Sequence, residues 1–379
     1  MMLTGTCLPS RGLWLPDKPL SAFLSGDKIF WHADKLAMLR DGKIPPPVGI
    51  ELDITNVCNL ACPYCTNTVY NSECPQTLPT ETVKQVLLDC AHMGCKAVCF
   101  TGGGEPTVHK DIGLLMEYAQ ELGMDTALIT NATLLHRAGI PPHVLMKCEW
   151  IRISLDAHDQ ESYYLSKGRD HWDQVIANIS ALVEVKRNYI KNVGPNAHQV
   201  TIGVGYLTTP DNYKNMEQAA DVVSKLGVDY LQFRPVIFMP DDDRAEMYPL
   251  GAAAEIMSYI EAARQYSNSD FQVVASMPKY EDLGNKERGY SHCLGVYFSC
   301  VIGATGDTWI CCHMRGYPEF SLGSVLERRF SDIWYDVQLR NEVYQRIGDF
   351  SKCMPLCRFH SLNKQLEKLN WHVQHCNYL

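Results

Sequence analysis

Cys58-Asn-Leu-Ala-Cys62-Pro-Tyr-Cys65 stands just after an apolar, β-prone run, Val48-Gly-Ile-Glu-Leu-Asp-Ile54. Three thiolates on one short loop can grip one face of a cubane iron–sulfur cluster, which wants four soft ligands. One iron is then left open for chemistry. A structural zinc site would want a closed tetrahedral set, usually from two Cys-x-x-Cys halves, and no fourth ligand stands nearby.

About forty residues on, Phe100-Thr-Gly-Gly-Gly-Glu-Pro106 follows the strand-like Ala97-Val98-Cys99. Consecutive glycines let main chain approach a ligand where any Cβ would intrude. Taken alone, a glycine turn after a strand is common, and three cysteines are also compatible with zinc or a redox cluster. Together the two loops resemble the radical S-adenosylmethionine (radical SAM) enzymes, whose signature is CxxxCxΦC with Φ aromatic, here Tyr64. The resemblance implies a SAM-binding [4Fe–4S] cluster on Cys58, Cys62 and Cys65. It also implies cofactor contacts at Tyr64, Gly102, Gly103, Gly104 and Glu105.

The chain has 379 residues, 46% hydrophobic and 20% charged, which describes a globular protein with one large domain and a smaller appendage. Its 34 basic and 43 acidic side chains leave a formal charge of −9, which argues against a phosphate-tracking nucleic-acid surface. No run of eighteen apolar residues is available to span a membrane. The first ten residues lack a charged and then apolar signal segment, so the 16 cysteines read as reduced cytoplasmic thiols, several holding metal.

Residues 1–47 read as a partly helical cap ending in Pro45 to Pro47, too short for a peptide-recognition domain. From 48 to 240, short β-branched runs alternate with amphipathic ones, which argues for βα units and a parallel sheet. Strands are expected at 48–54, 96–101, 125–130, 150–155, 199–206 and 229–235. Helices are expected at 80–93, 111–122, 141–148, 172–190 and 212–226. Thr80 is read at the N-cap of the first helix, which ends at Gly94. The family resemblance implies an α/β fold, a partial (β/α)6 TIM-like barrel with ligands at the carboxyl ends of its strands.

At those ends stand Asn131, Ser154, Asp156 and Arg234. Asn or Ser there is more often a cap or turn former. The resemblance places Ser154 and Asp156 near the cofactor's ribose and methionine, with Asn131 close by. Arg234 could clamp a carboxylate, act on the substrate, or form a surface ion pair.

Residues 241–284 form a helix and strand linker that opens on an acidic turn, Asp241 to Asp243. Residues 285–379 hold Cys293, Cys300, Cys311, Cys312, Cys353, Cys357 and Cys376. The stretch from Cys293 to Cys311 looks like a β-hairpin turning at Gly306-Asp307, with a helix to follow at about Ser331 to Arg346. This small C-terminal hairpin and helix region resembles the auxiliary-cluster half of SPASM/twitch radical SAM enzymes. The resemblance implies one auxiliary [4Fe–4S] cluster on Cys293, Cys311, Cys353 and Cys357, with Cys312 or Cys300 as substitutes. Zinc on the same four is the alternative. Cys74, Cys90, Cys95, Cys99 and Cys148 read as buried small hydrophobes.

By resemblance, an external reductant of flavodoxin or ferredoxin type delivers one electron, SAM is cleaved, and a 5′-deoxyadenosyl radical abstracts hydrogen from the substrate. Twitch-type relatives include a dehydrogenase acting on an aminocyclitol. The expected substrate is therefore a small molecule, a sugar, aminocyclitol or nucleoside whose alcohol carbon is oxidised, with Arg234 assisting proton loss. Alternatives are epimerisation, with Cys300 returning a hydrogen, and peptide modification by a SPASM enzyme. A metal-stabilised binding module is the reading outside catalysis.

Overall fold

The computed structural model describes residues 25–67, 75–194, 196–238, 252–281, 288–348, 350, 353 and 356–370. Trp14, Phe23, Cys74, Asp241 to Asp243 and Cys376 lie outside them. Ten strands form one sheet: β1 (Gly49–Asp53), β2 (Ala97–Thr101), β3 (Asp125–Thr130), β4 (Trp150–Ser154), β5 (Thr201–Thr208), β6 (Tyr230–Pro235), β7 (Gln272–Ala275), β8 (Ser299–Ile302), β9 (Asp307–Trp309) and β10 (Ser321–Ser324). Their order is β10-β9-β8-β1-β2-β3-β4-β5-β6-β7. Neighbours from β1 to β7 are parallel, so a partial barrel is built from βα units as the alternation requires.

The helices are α1 (Ala33–Arg40), α2 (Thr80–Met93), α3 (Ile112–Glu121), α4 (Pro142–Met146), α5 (Gln160–Lys167), α6 (Trp172–Val193), α7 (Met216–Ser224), α8 (Ala252–Arg264), α9 (Met277–Glu281), α10 (Phe330–Trp334), α11 (Val337–Ile347) and α12 (His360–Leu366). Strand alternation sends Ile50, Leu52, Val98, Phe100, Leu128, Ile151, Ile153, Leu231 and Phe233 outward into the helix layer, where they form the main core. Their neighbours Glu51, Cys99, Ile129, Arg152, Gln232 and Arg234 face the lumen. α2 stops at Gly94, whose φ of 87° is left-handed and puts its N–H on the Ala91 carbonyl. Its N-cap is Pro79, and the Thr80 hydroxyl instead donates to Asp111 (2.5 Å).

Further readings need correction. α5 was not expected; Asp159 and Ser162 start it as a reciprocal capping box. The single helix expected at 331–346 is broken at Tyr335-Asp336, because the Asp336 side chain accepts the Leu339 N–H (3.0 Å) and starts a second helix. The C-terminal hairpin turns at Gly306 as read, but β8 also pairs in parallel with β1 and extends the barrel sheet.

That pairing fixes the fate of Cys300. It stands opposite Ile50, shares its outward face, and is 1% exposed in the main core with Phe330 and Trp334. It therefore cannot return hydrogen to a substrate in the lumen. Buried polar ties hold the C-terminal region on the barrel. Asp89 of α2 binds the Arg329 guanidinium and the Phe330 N–H (3.0 Å), and Trp334 Nε1 donates to the Pro45 carbonyl (2.8 Å).

Candidate active site

β1 runs into Thr55 and Asn56, and the cysteine loop begins there. Thr55 Oγ1 accepts the Val57 N–H (3.1 Å), and the Cys65 N–H closes a turn on the Cys62 carbonyl (3.2 Å). Cys58, Cys62 and Cys65 all line one cavity of about 890 Å³, together with Gly102, Gly103, Gly104, Ser154 and Asp156. The glycine loop lies directly on the cysteine loop: Gly104 N–H donates to Thr55 O (3.0 Å) and Glu105 N–H to Val57 O (2.9 Å). A Cβ on Gly104 would stand 2.2 Å from the Val57 oxygen, so only glycine permits this approach.

Glu105 and Asn131 line the cavity, but their polar atoms serve the chain itself. The Glu105 carboxylate accepts from Thr107 N (3.1 Å), Thr107 Oγ1 (2.5 Å), Thr130 Oγ1 (2.6 Å) and Asn131 N (2.7 Å). Burial pushes its acid up, and these donors oppose the shift. Asn131 Nδ2 donates to Asn59 Oδ1 (3.0 Å), stitching the end of β3 to the cysteine loop. Both positions thus build the walls. Tyr64, beside Cys65, donates to Asp211 Oδ2 (2.5 Å) and meets Phe238 edge-on, which anchors the far side of the loop.

Asp156 adopts φ 57°, a left-handed conformation rare outside glycine. Its Oδ1 accepts the Leu207 N–H (2.6 Å) and its Oδ2 pairs with Lys167 Nζ (2.5 Å). Lys167, which sequence reasoning missed, is 3% exposed at the last turn of α5. Burial works to lower its pKa, but Asp156 and Cys62 more than offset this and hold it raised. Its carbonyl accepts the Ala61 N–H (3.0 Å), and a Cβ on Gly168 would stand 2.3 Å from the Ala61 oxygen. The signal in the sequence was Lys167-Gly168, a helix-ending cation followed by a C′ glycine.

A second cavity of about 810 Å³ occupies the barrel lumen and shares Ile129, Arg234, Ile237 and Lys279 with the first. Its far wall carries Cys312, His313, Cys357 and Arg358. Cys293, Cys311, Cys353 and Cys357 belong to one small apolar cluster with Val296, Phe320 and Ile347. Asn363 Nδ2 donates to Cys293 Sγ (3.6 Å), and burial followed by Cys357 pushes that thiol up to about 12. The ligand atoms of Cys311, Cys312 and His313 lie within 4.8 Å of one another, so Cys312 stands beside Cys311 on the lumen side.

The donor sets suit iron. Loss of water pushes Cys58 up to about 11 and also raises Cys62, so the thiolates need a compensating positive centre. Soft sulfur donors gathered three and four at a time fit an open and a closed iron–sulfur cluster respectively.

The radical SAM superfamily profile matches residues 52–195, and the iron–sulfur cluster-binding SPASM profile matches 293–360. The chain belongs to the radical SAM superfamily. It is a radical SAM enzyme with a SPASM-type C-terminal region, and its cofactors are SAM, a SAM-binding [4Fe–4S] cluster and auxiliary iron–sulfur ligation. Radical SAM enzymes need a substrate and a one-electron reductant. A PqqA peptide cyclase of Bradyrhizobium diazoefficiens is 43% identical over 91 residues, a match that spans 24% of this chain and 24% of that protein. An AdoMet-dependent heme synthase of Nitratidesulfovibrio vulgaris is 24% identical over 356 residues, 86% of this chain and 88% of that one. Streptococcus suis SuiB bound to precursor peptide SuiA superposes with a TM-score of 0.63 at 19% identity, covering 87% of this chain and 75% of SuiB. No helix among the described residues is long and apolar enough to cross a membrane.

Proposed function

We propose that this radical SAM enzyme modifies a peptide. The observation that carries the reading is the lumen: cavities of about 890 and 810 Å³ meet at Arg234 and Lys279 and run from the cysteine loop to the C-terminal cysteines. The likeness to peptide cyclases and to SuiB supports the chemical class. This takes the expected alternative, peptide modification, over alcohol oxidation of a small molecule.

In this reading Cys58, Cys62 and Cys65 hold the SAM-binding cluster. Cys293, Cys311, Cys353 and Cys357 hold the auxiliary one, with Cys312 at its lumen face. Bound SAM and its cluster supply abstraction of a hydrogen atom from an unactivated carbon. The chain's own groups position and shield. Gly102 to Gly104 bring bare main chain to the cofactor. Ser154 turns a hydroxyl toward the same cavity, and Asp156 with Lys167 fixes the wall below it. The barrel sheet, backed by its apolar helix layer, screens the reacting carbon from bulk water. Arg234, shifted down to about 9 by Arg152 and then by burial, remains protonated at neutral pH. It is thus a cation in the lumen and not a proton acceptor.

The test uses anaerobically reconstituted enzyme, SAM and dithionite, with defined synthetic peptides in one arm and sugars and aminocyclitols in another. Peptides should accelerate 5′-deoxyadenosine formation and transfer deuterium from labelled carbons into it. Acceleration by sugars or cyclitols alone would sink the reading. The near full-length match to a heme synthase favours a second reading, heme synthesis, and a porphyrin arm in the same assay tests it.

A further inference from the structure

Three partly buried cations of the lumen stand outside the ion pairs around them. Glu51 pairs with Arg358 (2.6 Å) and lies 3.6 Å from Arg315, which also binds Asp53 (2.5 Å). Asp156 pairs with Lys167 (2.5 Å), and Asp229 with Lys186 (2.6 Å). Arg152, Arg234 and Lys279, which all line the second cavity, form no ion pair among the described residues; the acid that still attracts Arg234 is Asp156, already paired with Lys167. The Nε atoms of Arg152 and Arg234 are both buried without any hydrogen-bond partner.

Two strands on either side of β5 aim these guanidiniums at one place. Arg152 leaves β4 and crosses Gly205 of β5, its Cδ 3.4 Å from where a Cβ would stand, and reaches Gln232 Oε1 of β6 through Nη1 (3.4 Å). Arg234 follows Gln232 by two residues and so shares its face. Like charges brought together out of water repel, and each unpaired buried cation is costly. Such an arrangement persists where an anion completes it, and a carboxylate accepts from arginine forks in two-point fashion.

We propose that Arg152 and Arg234, with Lys279 at the edge, form a carboxylate subsite that receives an acidic group of the substrate at the junction of the two cavities. The source of that carboxylate rests on the peptide reading: an Asp or Glu side chain if it holds, a free small acid if it does not. Lys279 also faces Cys312 and Cys357, so the decisive residues are the two arginines.

Binding is measured calorimetrically on the reconstituted holoenzyme with SAM present and no reductant. The probes are Ac-Ala-Glu-Ala-NH2, its Gln counterpart, and glutarate. The Glu peptide should bind about 30-fold tighter than the Gln peptide. Arg234→Met should abolish that preference, and Arg234→Lys should keep part of it. Without ligand, Arg234→Met should unfold at a higher temperature than the wild type, because a repelled buried cation is gone. A merely structural arginine would shift it down. Equal binding of Glu and Gln peptides, with glutarate unbound, overturns the subsite while leaving the peptide reading intact. Glutarate bound in an Arg234-dependent way, with neither peptide bound, keeps the subsite and overturns the peptide reading. Retention of the Glu preference in Arg234→Met also overturns the subsite.

Discussion

Lys167 ties three parts of the site together: its ammonium holds Asp156, its carbonyl holds Ala61 of the cysteine loop, and its charge faces Cys62. Lys167→Met would leave the Asp156 carboxylate without its cation, at a cost of about 3 kcal/mol for a buried pair. SAM affinity should fall by roughly 10-fold or more, as for other groups that position a metal site, and Lys167→Arg should recover part of it. Equilibrium dialysis of folded, iron-loaded variants decides, and unchanged affinity would refute the positioning role. The cysteines themselves make a sharper case. Cys58, Cys62 and Cys65 replaced together by Ala should remove about four irons per chain and all 5′-deoxyadenosine formation. A triple variant that still cleaves SAM under reduction contradicts the assignment.

The glycine loop transmits the same logic at the level of elements, since the close approach of its main chain to the cysteine loop depends on Gly104. Gly104→Ala should push the two loops apart through contact with Val57 O, so iron content and SAM affinity should both drop. A variant with wild-type iron and SAM affinity would show that this contact is dispensable. The elements were largely legible in advance: apolar spacing at Val83, Val86, Leu87 and Cys90 marks α2, and β-branched runs mark β1 to β6. α5 escaped because Gln160–Lys167 is short and mostly polar, and its value lies in Lys167, which only the chain's path brings to Cys62. Cys300 was misassigned because the direction of a strand residue depends on register, and nothing local announces that β8 would pair with β1. Arg234 could be placed at a strand end, but its repulsion by Arg152 from another strand could not.

Across the whole molecule, the two iron–sulfur regions share one sheet: β1 leads into the cysteine loop on one side and pairs with β8 of the C-terminal region on the other. Glu51 and Asp53 of β1 also bind Arg358 and Arg315, which flank the auxiliary cysteines. The reconstituted enzyme should therefore carry about eight irons if both regions hold cubanes. Cys353→Ser combined with Cys357→Ser removes two auxiliary donors from the edge of the small apolar cluster and spares the β8–β1 pairing and the Asp89–Arg329 tie. Iron should fall to about four, circular dichroism should stay unchanged, and slow SAM cleavage without substrate should persist. Product formation should cease on the proposal that the auxiliary cluster takes up the electron left after hydrogen abstraction. A double variant that keeps about eight irons would show that other side chains hold the auxiliary cluster. One that loses four irons yet forms product at the wild-type rate would remove that cluster from the reaction.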